Sequence, residues 1–137
     1  MAADFIQSAG AYIFSLPQGL LEVAKFTLKG IYTWGGERDA ATKEMIKEVS
    51  GIGDRVPDGG QYVFAIRAYL HQSRIPKKRR IPDIENIPKL IVDAFRGILF
   101  DDDNWRFVRA VQAEGLWIDE DDERTDVWIY RLPEANS

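Results

Sequence analysis

Between residues 81 and 104 the chain reads IPDIENIPKLIVDAFRGILFDDDN, with carboxylates on both sides of one short apolar helix pattern. Asp83 and Glu85 precede the pattern, Asp93 lies within it, and Asp101, Asp102 and Asp103 follow Gly97. Carboxylates gathered in one place repel one another and raise each other's pKa. A divalent cation removes that penalty. Mg²⁺ needs only two or three carboxylates, because it keeps several of its waters. An ion held this way can polarise a scissile phosphate, position the attacking water and stabilise the departing oxygen. Lys89, four residues past Glu85, faces back toward the start of the helix. An ammonium there can stabilise charge on the phosphorus centre or the leaving group. A helix of about ten residues spans only about 15 Å. The flanking acids therefore meet only if the chain folds back, and residues 98–100 can supply that return as a strand.

Each residue also has a plainer reading. An acid before a helix, as Asp83 is, commonly caps it. Asp101, Asp102 and Asp103 suit a solvated turn, and Lys89 suits a surface position. His71, at the end of a strand, reads as a surface or packing residue. The acidic stretch 119–123 reads as a solvated hairpin loop. Arg74, Lys77, Lys78, Arg79 and Arg80 put five positive charges into seven residues. That segment is either a solvated face or an anion contact.

Composition narrows the chemistry. Cysteine is absent, which excludes disulfide scaffolds, zinc ribbons and thiol nucleophiles. The single histidine excludes multi-histidine metal sites and allows a Ser-His-Asp triad only through His71. Hydrolytic chemistry must then lean on the 22 acidic residues. Net charge is −4, yet the basic run is separated from an acidic region over 101–126, so a local basic patch survives an acidic total. A chain of 137 residues is one domain's worth and needs no staple to fold. The apolar stretch 9–23 is broken by Pro17, Gln18 and Gly19 and lacks a basic leader. The expected location is the cytoplasm, with no membrane partner.

The elements that must position these residues follow from periodicity. In 1–24, Phe5, Ile6, Ala9, Tyr12, Ile13 and Leu16 allow an amphipathic helix or a tail that orders against a partner. Residues 25–34 have strand composition, ended by Gly35 and Gly36. Residues 38–50 read as a helix with Ala41, Met45, Val49 and Ile46 inward and Lys43, Glu44, Lys47 and Glu48 outward. Residues 61–71 form the clearest strand: Tyr62, Phe64, Ile66, Ala68 and Leu70 line one face, Arg67 and His71 the other. Residues 73–82 are a basic loop. Residues 86–96 make a second helix, with Asn86 as N-cap, Pro88 in the first turn and Ile87, Leu90, Ile91 and Ala94 on one face. Strands over about 105–113 and 125–132 complete the chain. This order, β-α-β-α-β-β, predicts an α+β fold with a small mixed sheet and two main helices.

Taken together, residues 81–104 resemble the RusA family of Holliday junction resolvases. That family's pattern runs Asp-x-Asp-Asn, then Lys, then Asp, then Gly and an acidic pair. Asp83, Asn86, Lys89, Asp93, Gly97, Asp102 and Asp103 match it in type and spacing. Glu85 stands where the second Asp is expected, and its extra methylene moves the carboxylate by about 1.5 Å. The resemblance implies a RusA-like domain over 25–137, preceded by an extension of unassigned role over 1–24. It implies a homodimeric endodeoxyribonuclease that makes paired nicks in four-way DNA junctions during recombination and repair, using Mg²⁺ or Mn²⁺ and no other cofactor. Asp83, Glu85 and Asp103 would hold the metal, with Asp102 adjacent, and Lys89 would stabilise charge at the phosphate. Arg74, Lys77, Lys78, Arg79 and Arg80 would lie along the DNA backbone. Two other readings stay open: a RusA-like junction-binding dimer with weak or lost catalysis, and a protein-interaction module without a DNA role, whose aromatic surface and acidic loop meet a protein partner.

Overall fold

A computed structural model describes residues 19–77, 84–102 and 106–133. The chain runs β1 (Leu21–Lys29), α1 (Asp39–Ser50), β2 (Tyr62–His71), α2, a single turn (Arg74–Lys77), α3 (Asn86–Ala94), β3 (Val108–Ile118) and β4 (Arg124–Arg131). The α+β class and the mixed sheet with two main helices are as the periodicity predicts. Of the stretch 1–24, read as an amphipathic helix or a tail, residues 1–18 lie outside the described residues, and 21–24 belong to β1. No helix among the described residues is long and apolar enough to cross a membrane.

Strand order is β1-β4-β2-β3. β2 pairs antiparallel with β4 and parallel with β3. Parallel neighbours require a crossover connection, usually helical. Here the crossover is residues 72–107, so the basic segment, α3 and the acids after it all hang on one connection.

The last two strands do not form a hairpin, which corrects the reading of residues 119–123. β2 lies between β3 and β4, so this connection passes over the end of β2. The Gln72 N–H donates to the Ile118 carbonyl (2.9 Å), and the His71 N–H donates to the Glu123 carboxylate (2.8 Å). A hairpin is the shortest path between consecutive strands, but β2 buries more on both faces and takes the centre.

The core explains that choice. Tyr62, Phe64, Ile66, Ala68 and Leu70 face the helices, as their alternation predicts, and all are buried. On the opposite face Val63 and Ala65 pack with Trp128, Tyr130 and Leu132 in a smaller cluster. Burying one such side chain contributes about 1.5–3 kcal/mol.

Two further boundaries and one helix face differ. β1 ends at Lys29 rather than at residue 34, because Gly30 turns with φ +98° and its N–H donates to the Glu123 carbonyl. β3 continues to Ile118, because it pairs with β2 as far as His71. In α1 the inward stripe centres on the fully buried Ile46, while Val49 is exposed. Lys43 also turns inward, for an electrostatic reason given below.

Candidate active site

α3 is the scaffold of the site. Pro88 sits in its first turn, where the missing N–H breaks no helical bond. Ile87, Leu90, Ile91 and Ala94 are buried, as predicted. The outer stripe carries Glu85, Lys89 and Asp93 at successive spacings of four, one above another along the helix. Asn86 is not the cap. It is the first helical residue, and Glu85 occupies the cap position with helical backbone angles (φ −67°, ψ −31°) and no side-chain cap bond. The Asn86 carbonyl instead accepts the Trp34 N–H at 2.9 Å.

Asp93 is the centre of an ion-pair chain. One of its oxygens pairs with the Lys43 ammonium of α1. The other lies 3.3 Å from Arg96 Nη2, which is in turn 3.8 Å from Asp102 Oδ1. Asp93 is largely buried at 17% side-chain exposure, so an unpaired carboxylate there would be costly. That cost draws Lys43 inward against its expected outward position. Both Asp93 oxygens are engaged, so Asp93 joins α1 to α3, and Arg96 carries the chain on to Asp102.

The segment after α3 is a tight turn rather than the returning strand expected over 98–100. The Phe95 carbonyl accepts the Ile98 and Leu99 N–H groups (3.2 and 3.0 Å), and the Gly97 N–H donates to the Phe100 carbonyl (2.8 Å). Arg96 and Phe100 form an isolated bridge. Gly97 has φ +94° and nothing within 4 Å of a would-be Cβ, so backbone angle rather than space requires glycine. Phe95, Leu99 and Phe100 are fully buried and pull the turn into the core. Phe95 lies 6.2 Å from Phe26 and 6.0 Å from Phe64, and Phe100 lies 6.2 Å from both Tyr62 and Phe64. Asp101 and Asp102 therefore emerge exposed, immediately after a buried anchor.

The basic segment starts with α2 where loop was expected. The Arg74 guanidinium grips Glu123 through two hydrogen bonds, Nε to Oε2 at 2.7 Å and Nη2 to Oε1 at 2.6 Å. These bonds, helped by the His71 N–H, hold the Glu123 carboxyl below its ordinary range, and they raise the Arg74 pKa. The His71 ring bonds the Ser73 hydroxyl (2.7 Å) and the Asp119 carbonyl (3.2 Å), in keeping with the structural reading. Arg74 thus roots the segment on the strap between β3 and β4. Of Lys77 the structure describes the backbone only, and Lys78, Arg79 and Arg80 lie outside the described residues.

Sequence reasoning missed Trp34, Lys43, Arg96 and Phe100. Trp34 stacks under Lys89, with Nζ 3.5 Å from the centroid of an indole ring. Its loop is held by the Asp39 carboxylate, which accepts the Gly35 and Gly36 N–H groups at 2.8 and 3.0 Å. Those bonds, the Gly35 one foremost, keep the Asp39 carboxyl below its usual range. The run Ile98-Leu99-Phe100 between charged residues was a legible signal for a buried anchor. Trp34 carried no comparable signal, because its partner lies 55 positions away.

The structure therefore places Glu85 and Lys89 on one exposed stripe of α3 and Asp102 beside Arg96 at the other end of the helix. Asp83 and Asp103 lie outside the described residues. Among the described residues no three acidic or histidine side chains stand close enough to hold a metal ion. The exposed carboxylates flanking α3, Glu85, Asp101 and Asp102, are hard oxygen donors, a set that suits Mg²⁺ in kind. Compared with known families, residues 41–130 match the model of endodeoxyribonuclease RusA. No curated protein and no solved structure matches the chain.

Proposed function

The chain belongs to the RusA family of junction-resolving endodeoxyribonucleases, and on that premise we propose that it resolves four-way DNA junctions by metal-dependent phosphodiester hydrolysis as a homodimer. The observation that carries this reading is that the match spans Asp83, Glu85, Lys89 and Asp103, the whole spacing of acids and lysine. RusA-family nucleases generally depend on a divalent metal and bind branched DNA.

Asp83, Glu85 and Asp103, with Asp102 beside them, are proposed to hold Mg²⁺ or Mn²⁺. When bound, the ion would polarise the phosphodiester and lower the pKa of a water. The chain's own residues do the rest. Arg96 offsets the charge of Asp102. Lys89 stabilises negative charge on the phosphorus centre as water attacks and the ester P–O bond opens. Lys77, Lys78, Arg79 and Arg80 follow the DNA backbone from a base fixed by Arg74. Twofold pairing is supported by the outer edge of β3, which no strand among the described residues covers and where Val111, Leu116 and Trp117 are exposed. A dimer would present two sites to two related strands.

The test is incubation of the full chain with a labelled mobile junction, with and without Mg²⁺, mapping nicks on all four arms. Paired nicks that need the metal are expected. Asp83→Asn and Asp103→Asn should abolish cleavage while junction binding persists, and retained cleavage in both would sink the site assignment. Lys78→Ala and Arg80→Ala should weaken binding and lessen its salt dependence. A second reading, a junction-binding dimer with weak catalysis, is favoured by Glu85 alone. In that case Glu85→Asp should raise the cleavage rate.

A further inference from the structure

We propose that Trp34 is a positioning residue for Lys89, fixing the ε-ammonium at the start of α3 without cancelling its charge. This rests on the reading of Lys89 as the group that stabilises charge at the phosphate. A lysine stem has four rotatable carbons and a strongly hydrated head, so an unsupported ammonium wanders. A carboxylate would hold it but would also neutralise its field. That is what Asp93 does to Lys43 and what Glu44 does to Lys47 at 2.5 Å. No carboxylate among the described residues pairs with Lys89; its neighbour is the Trp34 ring at 3.5 Å. An indole face attracts a cation through its quadrupole and carries no net charge. The ring thereby confines the ammonium without forming an ion pair with it.

The ring is itself held in place by the backbone. The Trp34 N–H donates to the Asn86 carbonyl at 2.9 Å, which ties the loop to the first turn of the helix that bears Lys89. On the other side, Asp39 at the start of α1 receives the Gly35 and Gly36 N–H groups. Gly35 has φ +107°, a conformation that side-chain-bearing residues rarely adopt. None of these contacts uses the indole, so they survive its replacement. Trp34 also lies before the matched residues 41–130, so the family model assigns it nothing. It is 43% exposed, which leaves direct stacking on a DNA base as the competing role.

The experiment compares single-turnover junction cleavage by the full chain carrying Trp34→Leu, Trp34→Phe, Lys89→Ala, or Trp34→Leu with Lys89→Ala. Trp34→Leu should slow cleavage about two- to fivefold. Trp34→Phe should restore most of the rate, and Trp34→Leu should add nothing once Lys89 is gone. Metal-free junction affinity should stay at the wild-type value. An equal loss with and without Lys89, or a loss of affinity that accounts for the slower rate, would show the ring acting on DNA and overturn the proposal. A wild-type rate in Lys89→Ala would instead remove the reading of Lys89, and the proposal with it. An NMR readout is independent of cleavage. The Lys89 ε-methylene protons should be shifted upfield by the indole ring current in wild type and return to ordinary values in Trp34→Leu. Ordinary values already in wild type would overturn the proposal.

Discussion

Arg74 and Glu123, 49 positions apart in sequence, meet through two hydrogen bonds of 2.7 and 2.6 Å and so rivet the start of the basic segment to the strap that closes the sheet. Both side chains are less than a third exposed. Charge-assisted bonds in such a setting are shorter and stronger than neutral ones. Glu123→Gln keeps the shape and removes the charge. It should lower stability by about 1–2 kcal/mol, read as a lower urea midpoint with an unchanged slope.

The same carboxyl sets an acid limit. Glu123 is held below its ordinary value of 4.5, chiefly by Arg74, and Asp58 below 3.8, chiefly by the Gly60 N–H. A carboxyl that binds its proton more weakly in the folded state adds stability in full above its unfolded pKa. That stability drains away as pH falls through the lower folded value. Unfolding free energy should therefore decline below about pH 4.5, and the decline should be shallower in Glu123→Gln. Urea titrations at a series of pH values check this; identical slopes in the two proteins would acquit Glu123.

Asp93 should matter to stability more than a surface acid does. Asp93→Ala removes the carboxylate that Lys43 and Arg96 share and should cost about 1–2 kcal/mol. Lys43→Ala should cost less, since Arg96 remains to pair with Asp93. A double-mutant cycle on Lys43 and Asp93 should return a coupling of about 0.5–1 kcal/mol. Strict additivity would mean that the pair does not link α1 to α3.

Gly97 should tolerate little. At φ +94° an alanine pays about 1–2 kcal/mol for the left-handed backbone, although there is room for its methyl group. Gly97→Asn should recover part of that cost. The same turn delivers the chain from Phe100 to Asp101 and Asp102. Gly97→Ala should therefore slow cleavage more than it weakens junction binding, measured on the same four-way junction.

Much of this protein was settled by local pattern. The alternation of Tyr62, Phe64, Ile66, Ala68 and Leu70 determined β2 and its buried face, because a strand repeats every two residues whatever lies beside it. The spacing of Ile87, Leu90, Ile91 and Ala94 determined α3, and hence the common stripe of Glu85, Lys89 and Asp93. The acid–lysine spacing likewise sufficed to identify the family, since it depends on chain distance alone. What only the tertiary structure decided were relationships between distant segments. β2 sits between β3 and β4 because its two apolar faces bury more in the centre than at an edge. Lys43 turns inward because Asp93, 50 positions away on another helix, would otherwise be a largely buried unpaired charge. Trp34 lies under Lys89 because a backbone hydrogen bond from a neighbouring loop places it there. Periodicity reports which face of an element is apolar; which charge or ring meets it from elsewhere depends on long-range packing that no local window contains.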